Sequence, residues 1–253
     1  CYGIGASGTW YYREEVFAFL LVPARGMLSP TGEPVFVAPT EMLSATIHLS
    51  LQGGLVSALP VISVGAFRLL IPLLPSGGRR LAFFFFPAVA LSYLAGAAFA
   101  YYALLPAGLG FLLSFGTNVA TPMIRISEYM SLVTGMVVWL GLLFELPLLM
   151  FLLAKTRIVS HTRFRKYRKF VPVTAFILAA IVTPTFDVVN QTLVAVPLIL
   201  LYECGLLLAW AARPVESKRL GSLWIAVVEA VFLFVLLAVV VAAWYIGVLG
   251  GVR

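Results

Sequence analysis

Charge is what this sequence has least of. Only 11% of its 253 residues are Asp, Glu, Lys or Arg, against 62% in the apolar set, and the mean hydropathy is +1.06. A soluble domain carries about 25% charged residues, so an ordinary water-soluble core is excluded. The charged residues also sit in short clusters, and the long runs between them need lipid around them. Cysteine is almost as scarce. Cys1 and Cys204 make no disulfide framework, and Cys204 sits inside an apolar run as a small hydrophobe would. The first ten residues, CYGIGASGTW, lack Met, a basic start and the apolar core of a signal peptide. They read as the remnant of a span in a chain that begins within a longer protein.

Missing motifs exclude whole classes of chemistry. No G-x-x-x-x-G-K-[ST] occurs, so no P-loop holds a nucleotide. His48 and His161 have no second ligand at metal spacing, which leaves no metal site and no cofactor to expect. No Ser/His/Asp set or H-E-x-x-H is present, so the chain is not read as an enzyme. The formal charge of +7 forms neither a patch nor an Arg-rich arm, which argues against nucleic acid and for membrane orientation.

What is present is a series of apolar runs. A spanning helix needs about 20 mostly apolar residues, and the charge-free stretches place spans at 42–67, 81–105 with a break near Pro106, 129–154, 170–186, 188–212 and 220–252. The expected fold is all-α, a polytopic membrane helical bundle. Its three parts are residues 1–41 with an outer-face loop, a core of five spans at 42–212, and a linker with an additional apolar segment at 213–253. Thirteen of the seventeen basic residues fall in alternate loops, around Arg79 and Arg80, in 155–169 and in 213–219. By the positive-inside rule those loops are cytoplasmic. Tyr11 to Pro23 reads as an amphipathic stretch at the opposite interface.

The chemistry then rests on polar groups at membrane depth. Glu145, in Phe144-Glu145-Leu146-Pro147, lies well inside the third span, where a carboxylate is costly unless it faces protein, water or a partner. Pro147 kinks the helix there. Glu145 is read either as an interhelical hydrogen-bonding group or as a contact for another helix or a translocating chain. Glu203 beside Tyr202 suggests structural pairing, Asp187 caps the helix after a polar turn, and Glu229 can snorkel to the interface. The basic loop His161 to Phe170 (HTRFRKYRKF) reads as topology, or as a surface for anionic lipid or an acidic partner.

The order of motifs resembles one family closely, the TatC subunit of the twin-arginine protein translocase. The resemblance runs from Pro23 to Arg213. It comprises Pro39-Thr40-Glu41, Phe99-Ala100-Tyr101 with Leu104-Leu105-Pro106, Glu128-Tyr129, Phe144-Glu145-Leu146-Pro147, the basic loop, Thr183-Pro184 with Asp187 and Gln191, and Pro197 with Tyr202-Glu203. Each motif alone is weak, and the ordered set is strong.

The resemblance implies a glove-shaped, concave helical bundle in the plasma membrane of a prokaryote, or in a thylakoid membrane. It implies a receptor for folded precursors with paired arginines in their signal peptides, transport driven by the proton-motive force, TatA- and TatB-like single-span partners, and several copies of the chain in a larger complex. Glu145, with Pro147, would face the concave pocket. Thr183, Asp187 and Gln191 would meet a partner helix. Phe67, Pro72, Arg79 and Arg80 would form the cytoplasmic signal-peptide surface, and Glu41, Glu128, Tyr202 and Glu203 would be structural. The sequence departs from the family in three places: Gly78 stands where a loop glutamate is usual, the acid of the cytoplasmic N-terminus is missing, and 220–252 extends beyond the usual end. The competing readings are a proton-coupled transporter using Glu145, Glu203 and Glu229, or a scaffold that does not recognise signal peptides.

Overall fold

The apolar runs fold as helices because, at membrane depth, only a helix satisfies every backbone N–H and C=O within its own segment. The computed structural model describes residues 2–22, 40–69, 78–114, 125–183 and 187–212, and within these the side chains of 78–84 and 113–114 are not described. Among the described residues no strand forms. The helices are α1 (Tyr2–Tyr11), α2 (Arg13–Leu21), α3 (Glu41–Arg68), α4 (Gly78–Phe99), α5 (Leu105–Ser114), α6 (Ile126–Leu143), α7 (Leu146–Lys155), α8 (His161–Tyr167), α9 (Val171–Val182) and α10 (Val188–Ala211). Four helical stretches among the described residues are long and apolar enough to cross a membrane: Glu41–Arg68, Phe85–Leu112, Ile126–Lys155 and Val188–Ala211.

Three expectations change. The break near Pro106 does not occur. The chain passes from α4 through a π-helical segment, Ala100–Leu104, straight into α5, and the Leu105 N–H reaches back to the Ala100 carbonyl. Pro106 has no N–H to give the preceding turn, and widening that turn lets the helix continue. The span expected at 170–186 is shorter than read: α9 has 12 residues, about 18 Å of helix against a hydrocarbon core of about 30 Å. The basic loop is also helical. It forms α8 and a 3-10 turn, Arg168–Phe170, that leads directly into α9. The segment at 220–252 lies outside the described residues.

Another expectation holds. The third span is kinked, with Phe144 and Glu145 forming a turn between α6 and α7. Pro147 lacks the N–H that the Leu143 carbonyl would have accepted, and at the break the Ser92 hydroxyl of α4 donates to the Phe144 carbonyl at 2.7 Å. The amphipathic reading of α2 does not hold, because Arg13, Glu14 and Glu15 stand at its start and the apolar residues at its end rather than on opposite faces, with Phe17 and Leu20 buried and Phe19 half exposed. Two carbonyls of its last turn are taken by tyrosines, and the Phe19 carbonyl also accepts from the Val22 N–H. Tyr129 Oη donates to Leu20 at 2.7 Å and Tyr101 Oη donates to Phe19.

Two apolar clusters hold the helices together. One joins Leu49, Tyr101, Leu104, Tyr129, Val133, Leu140, Phe144 and Val194. The other joins Phe67, Phe85, Val89, Leu148, Phe151 and Leu208 towards the opposite end. Lipid tails are as apolar as leucine, so close packing matters more than burial from water. Gly96 shows it: a Cβ there would stand 2.6 Å from the Leu140 carbonyl and 2.8 Å from the Phe144 side chain.

Candidate functional site

Helices α3 and α6–α7 run side by side, and two polar pairs join them. Glu41, Gln52 and Ser63 on α3 are eleven residues apart, three turns each, so they share one face. Ser127 Oγ donates to Glu41 Oε1 at 2.7 Å and Thr134 Oγ1 donates to Gln52 Oε1, and the third residue of the series, Ser63, is buried at the level of the Glu145 carboxyl. The partners rise in the same order along both helices, so the two run parallel.

The candidate site lies at the level of Ser63. Glu145 is 5% exposed, and its Oε1 has no hydrogen-bond partner among the described residues. Tyr93 of α4 is fully buried near the carboxyl, and its hydroxyl is likewise unpartnered. The Tyr93 ring lies against Gly141, where a Cβ would come within 2.6 Å of it. Two polar atoms with open hydrogen-bonding capacity therefore sit at the break between α6 and α7. A buried polar group left in that state costs free energy, and such a pocket suits one further hydrogen-bonding group.

A second polar cluster lies at the start of α10. Asp187 caps the helix, accepting from the Asn190 N–H at 2.6 Å and from the Asn190 side-chain amide at 2.9 Å. Gln191 donates to the Phe176 carbonyl of α9 at 2.9 Å, and the buried Thr183 hydroxyl donates to Ala179 at 2.8 Å. Asn190 Oδ1 is buried without a partner and faces Gly108 of α5. At the far end of α10, Arg168 Nε meets Glu203 Oε1 at 2.6 Å and Tyr202 Oη donates to the Phe164 carbonyl at 2.8 Å, tying the basic helix α8 to α10.

An open groove of about 730 Å³ lies between α3, α5, α6 and the end of α9. Ser44, His48 and Gln52 line one wall, and Ser127, Ser131 and Gly135 line the other, with Trp139 at the deep end. Glu145 does not line it.

The sequence-predicted residues therefore divide. Glu145, Pro147 and the break come together, as do Thr183, Asp187 and Gln191 around the start of α10. Glu128 is exposed and lies 4.0 Å from Arg125. Phe67 is a correction: expected on the cytoplasmic-loop surface, it is buried against Phe85 with ring centroids 5.3 Å apart. It lies on the inner face of α3, where an aromatic side chain gains more from packing than from an interface. Pro72 lies outside the described residues, and Arg79 and Arg80 sit in the first turn of α4 with their side chains not described. Sequence reasoning missed Ser63, Ser92, Tyr93 and Asn190. For Ser63 a signal existed in its spacing of eleven and twenty-two residues from Gln52 and Glu41, whereas Tyr93 gave none in an apolar run.

Comparison with known proteins adds a family. The family profile described as "Sec-independent protein translocase protein (TatC)" matches residues 1–197. The Sec-independent protein translocase protein TatC of Aquifex aeolicus is 35% identical over 207 residues, covering 81% of this chain and 85% of that protein. The protein of the same name from Carboxydothermus hydrogenoformans is 32% identical over 213 residues, covering 84% and 86%. A crystal structure of the twin-arginine translocase receptor TatC superposes with a TM-score of 0.74 at 35% identity, covering 83% of this chain and 92% of that one.

Proposed function

The chain belongs to the TatC family and is a multi-pass core subunit of the twin-arginine translocase in a prokaryotic plasma membrane, and on that premise we propose that it receives twin-arginine signal peptides and docks single-span TatA- and TatB-like partners at Glu145. One observation carries the reading. The Glu145 carboxyl is buried at a helix break with Oε1 unpartnered, and a carboxylate accepts strong, charge-assisted hydrogen bonds from polar or cationic groups. Thr183, Asp187 and Gln191 form a second contact at the start of α10, and Arg79 and Arg80 belong to the cytoplasmic face that meets the precursor. The proton-motive force drives export, and several copies of the chain work together in the complex.

Gly78 supplies no carboxylate for a guanidinium pair. The twin arginines must then be met by acids elsewhere in the full-length protein or its partners. The proton-coupled transporter finds less support: of the three acids it needs, Glu203 is engaged by Arg168 and Glu229 lies outside the described residues.

Export of a twin-arginine precursor tests the proposal, in cells whose own TatC is replaced by the full-length protein together with its single-span partners. Export should fall at least tenfold with Glu145→Ala and be largely retained with Glu145→Gln, which keeps the hydrogen-bonding shape. Equal export from wild type and Glu145→Ala overturns the role of Glu145.

A further inference from the structure

Helix α3 carries two exposed stripes, one residue out of step. Leu43, Ile47, Leu51 and Leu55 recur every four residues and are 58%, 43%, 48% and 37% exposed. Ser44, His48 and Gln52 recur at the same spacing, the first two exposed and the third half-buried. Each polar residue stands beside an apolar one at the same depth, so depth alone does not explain the difference. What differs is the surroundings. The polar stripe lines the groove, and the apolar stripe does not.

The opposite wall repeats the pattern. Ser127, Ser131 and Gly135 of α6 recur every four residues along the groove, where Tyr129, Met130 and Leu132 also line it, while Val133 turns into the core. Two stripes that carry polar groups thus face each other across about 730 Å³, with Leu109, Leu112, Ile181 and Val182 completing a largely apolar lining. Lipid tails offer no hydrogen bonds to hydroxyl, imidazole and amide groups, and water at about 30 Å³ per molecule fits the space many times over.

The groove also has a floor. The Thr134 hydroxyl and the Gln52 side chain are bonded across it, with the Trp139 ring among the residues lining the deep end. Gln52 lies eleven residues from Glu41, about 16 Å along the helix. Below it the three turns to Ser63 and Glu145 are closed by packed side chains, Ala58 and Leu140 among them.

We infer that this groove is a water-filled inlet, open on the side opposite the basic segments and ending at the Gln52–Thr134 pair about 16 Å inside the α3 span. It goes beyond the docking role of Glu145 and does not depend on it. Water in the inlet brings hydrated polar stripes halfway into the bilayer and leaves the Glu145 pocket dry beneath its floor.

Paired thiols test it. In a Cys1→Ser, Cys204→Ala background, single cysteines replace Ser44, His48 and Ser131 in the groove, and Leu43, Ile47 and Leu51 on the apolar stripe. The full-length protein, expressed without partner subunits, is kept in right-side-out vesicles and treated with a small, charged, membrane-impermeant methanethiosulfonate. Thiolates react in water and not in lipid, so each groove position should be modified at least tenfold faster than its neighbour on the apolar stripe. Ser44→Cys and Ser131→Cys change little in volume, and the folded state of every variant is checked by its thermal transition in detergent. Equal rates within the pairs overturn the inference and mean that protein or lipid fills the groove. Modification from the other membrane face alone also overturns it, because the inlet would then open the wrong way.

Discussion

Thr134 donates to Gln52 across a separation of 82 residues, and the buried Ser63 and Glu145 stand at the same separation three turns further along. Equal separations mean that α3 and α6–α7 keep one register through three helical turns, although α6 ends at Leu143 and α7 begins at Leu146. The break therefore turns backbone groups outward without shifting the chain against its neighbour. Ser92 takes the Phe144 carbonyl, and Glu145 is left with its carboxyl inside the bundle.

Ser92 and Tyr93 should behave oppositely although they are adjacent. Ser92→Ala removes the donor to a buried carbonyl and should cost about 1–2 kcal/mol. Tyr93→Phe removes a buried hydroxyl that has no partner, and should be neutral or stabilise by up to about 1 kcal/mol. Thermal unfolding in detergent reads both, and a larger loss from Tyr93→Phe would show that its hydroxyl is bonded in the folded protein.

Gly96 and Gly135 form a second contrast. A methyl at Gly96 would press on backbone and on the Phe144 ring, whereas one at Gly135 would meet nothing within 4 Å. Gly96→Ala should therefore destabilise by about 2 kcal/mol or more, and Gly135→Ala should leave the transition within about 0.5 kcal/mol. Stability curves of the two variants under the same conditions check this.

Asp187 holds the start of α10 through two bonds to Asn190. Asp187→Ala removes the cap and should cost about 1–2 kcal/mol, whereas Asp187→Asn should lose less than half of that. Hydrogen exchange at the Asn190 and Gln191 amides reports the loss locally.

The Arg168–Glu203 pair is largely exposed at the arginine end. A double-mutant cycle with Arg168→Met and Glu203→Gln should give a coupling below about 1 kcal/mol, falling further in 0.5 M salt. A coupling above 2 kcal/mol would mark the pair as a principal anchor of α8.

Much of this was legible because lipid imposes a simple rule on sequence. Charge-free length gave the spans at 42–67 and 188–212 to within a residue or two of α3 and α10, and the proline two residues after Glu145 gave the break in the third. The resemblance gave the family. Pro106 misled because a proline stops a helix only when the preceding turn cannot widen, and residues 100–104 widen it. The helix in the basic loop was not legible because clustered cations mark a membrane face without specifying secondary structure, whereas the bonds from Tyr202 and Glu203 hold this segment in place from another helix. Phe67 was misplaced because a residue at the end of an apolar run can face either way, and only the position of Phe85 decides which. The polar groups around Glu145 were hidden for a related reason: Ser63, Ser92 and Tyr93 come from two other helices, and nothing next to Glu145 in the sequence announces their meeting.

The central claim is that this chain receives paired arginines and holds partner helices at Glu145. Site-specific photo-crosslinking in native membranes tests it most directly, with probes at residues 69–80 and at 145 of the full-length protein and precursors bearing Arg-Arg or Lys-Lys. The account predicts precursor crosslinks from the loop that vanish with Lys-Lys, and capture of single-span partners at position 145. Crosslinks indifferent to the Lys-Lys change, or no capture at position 145, would contradict it.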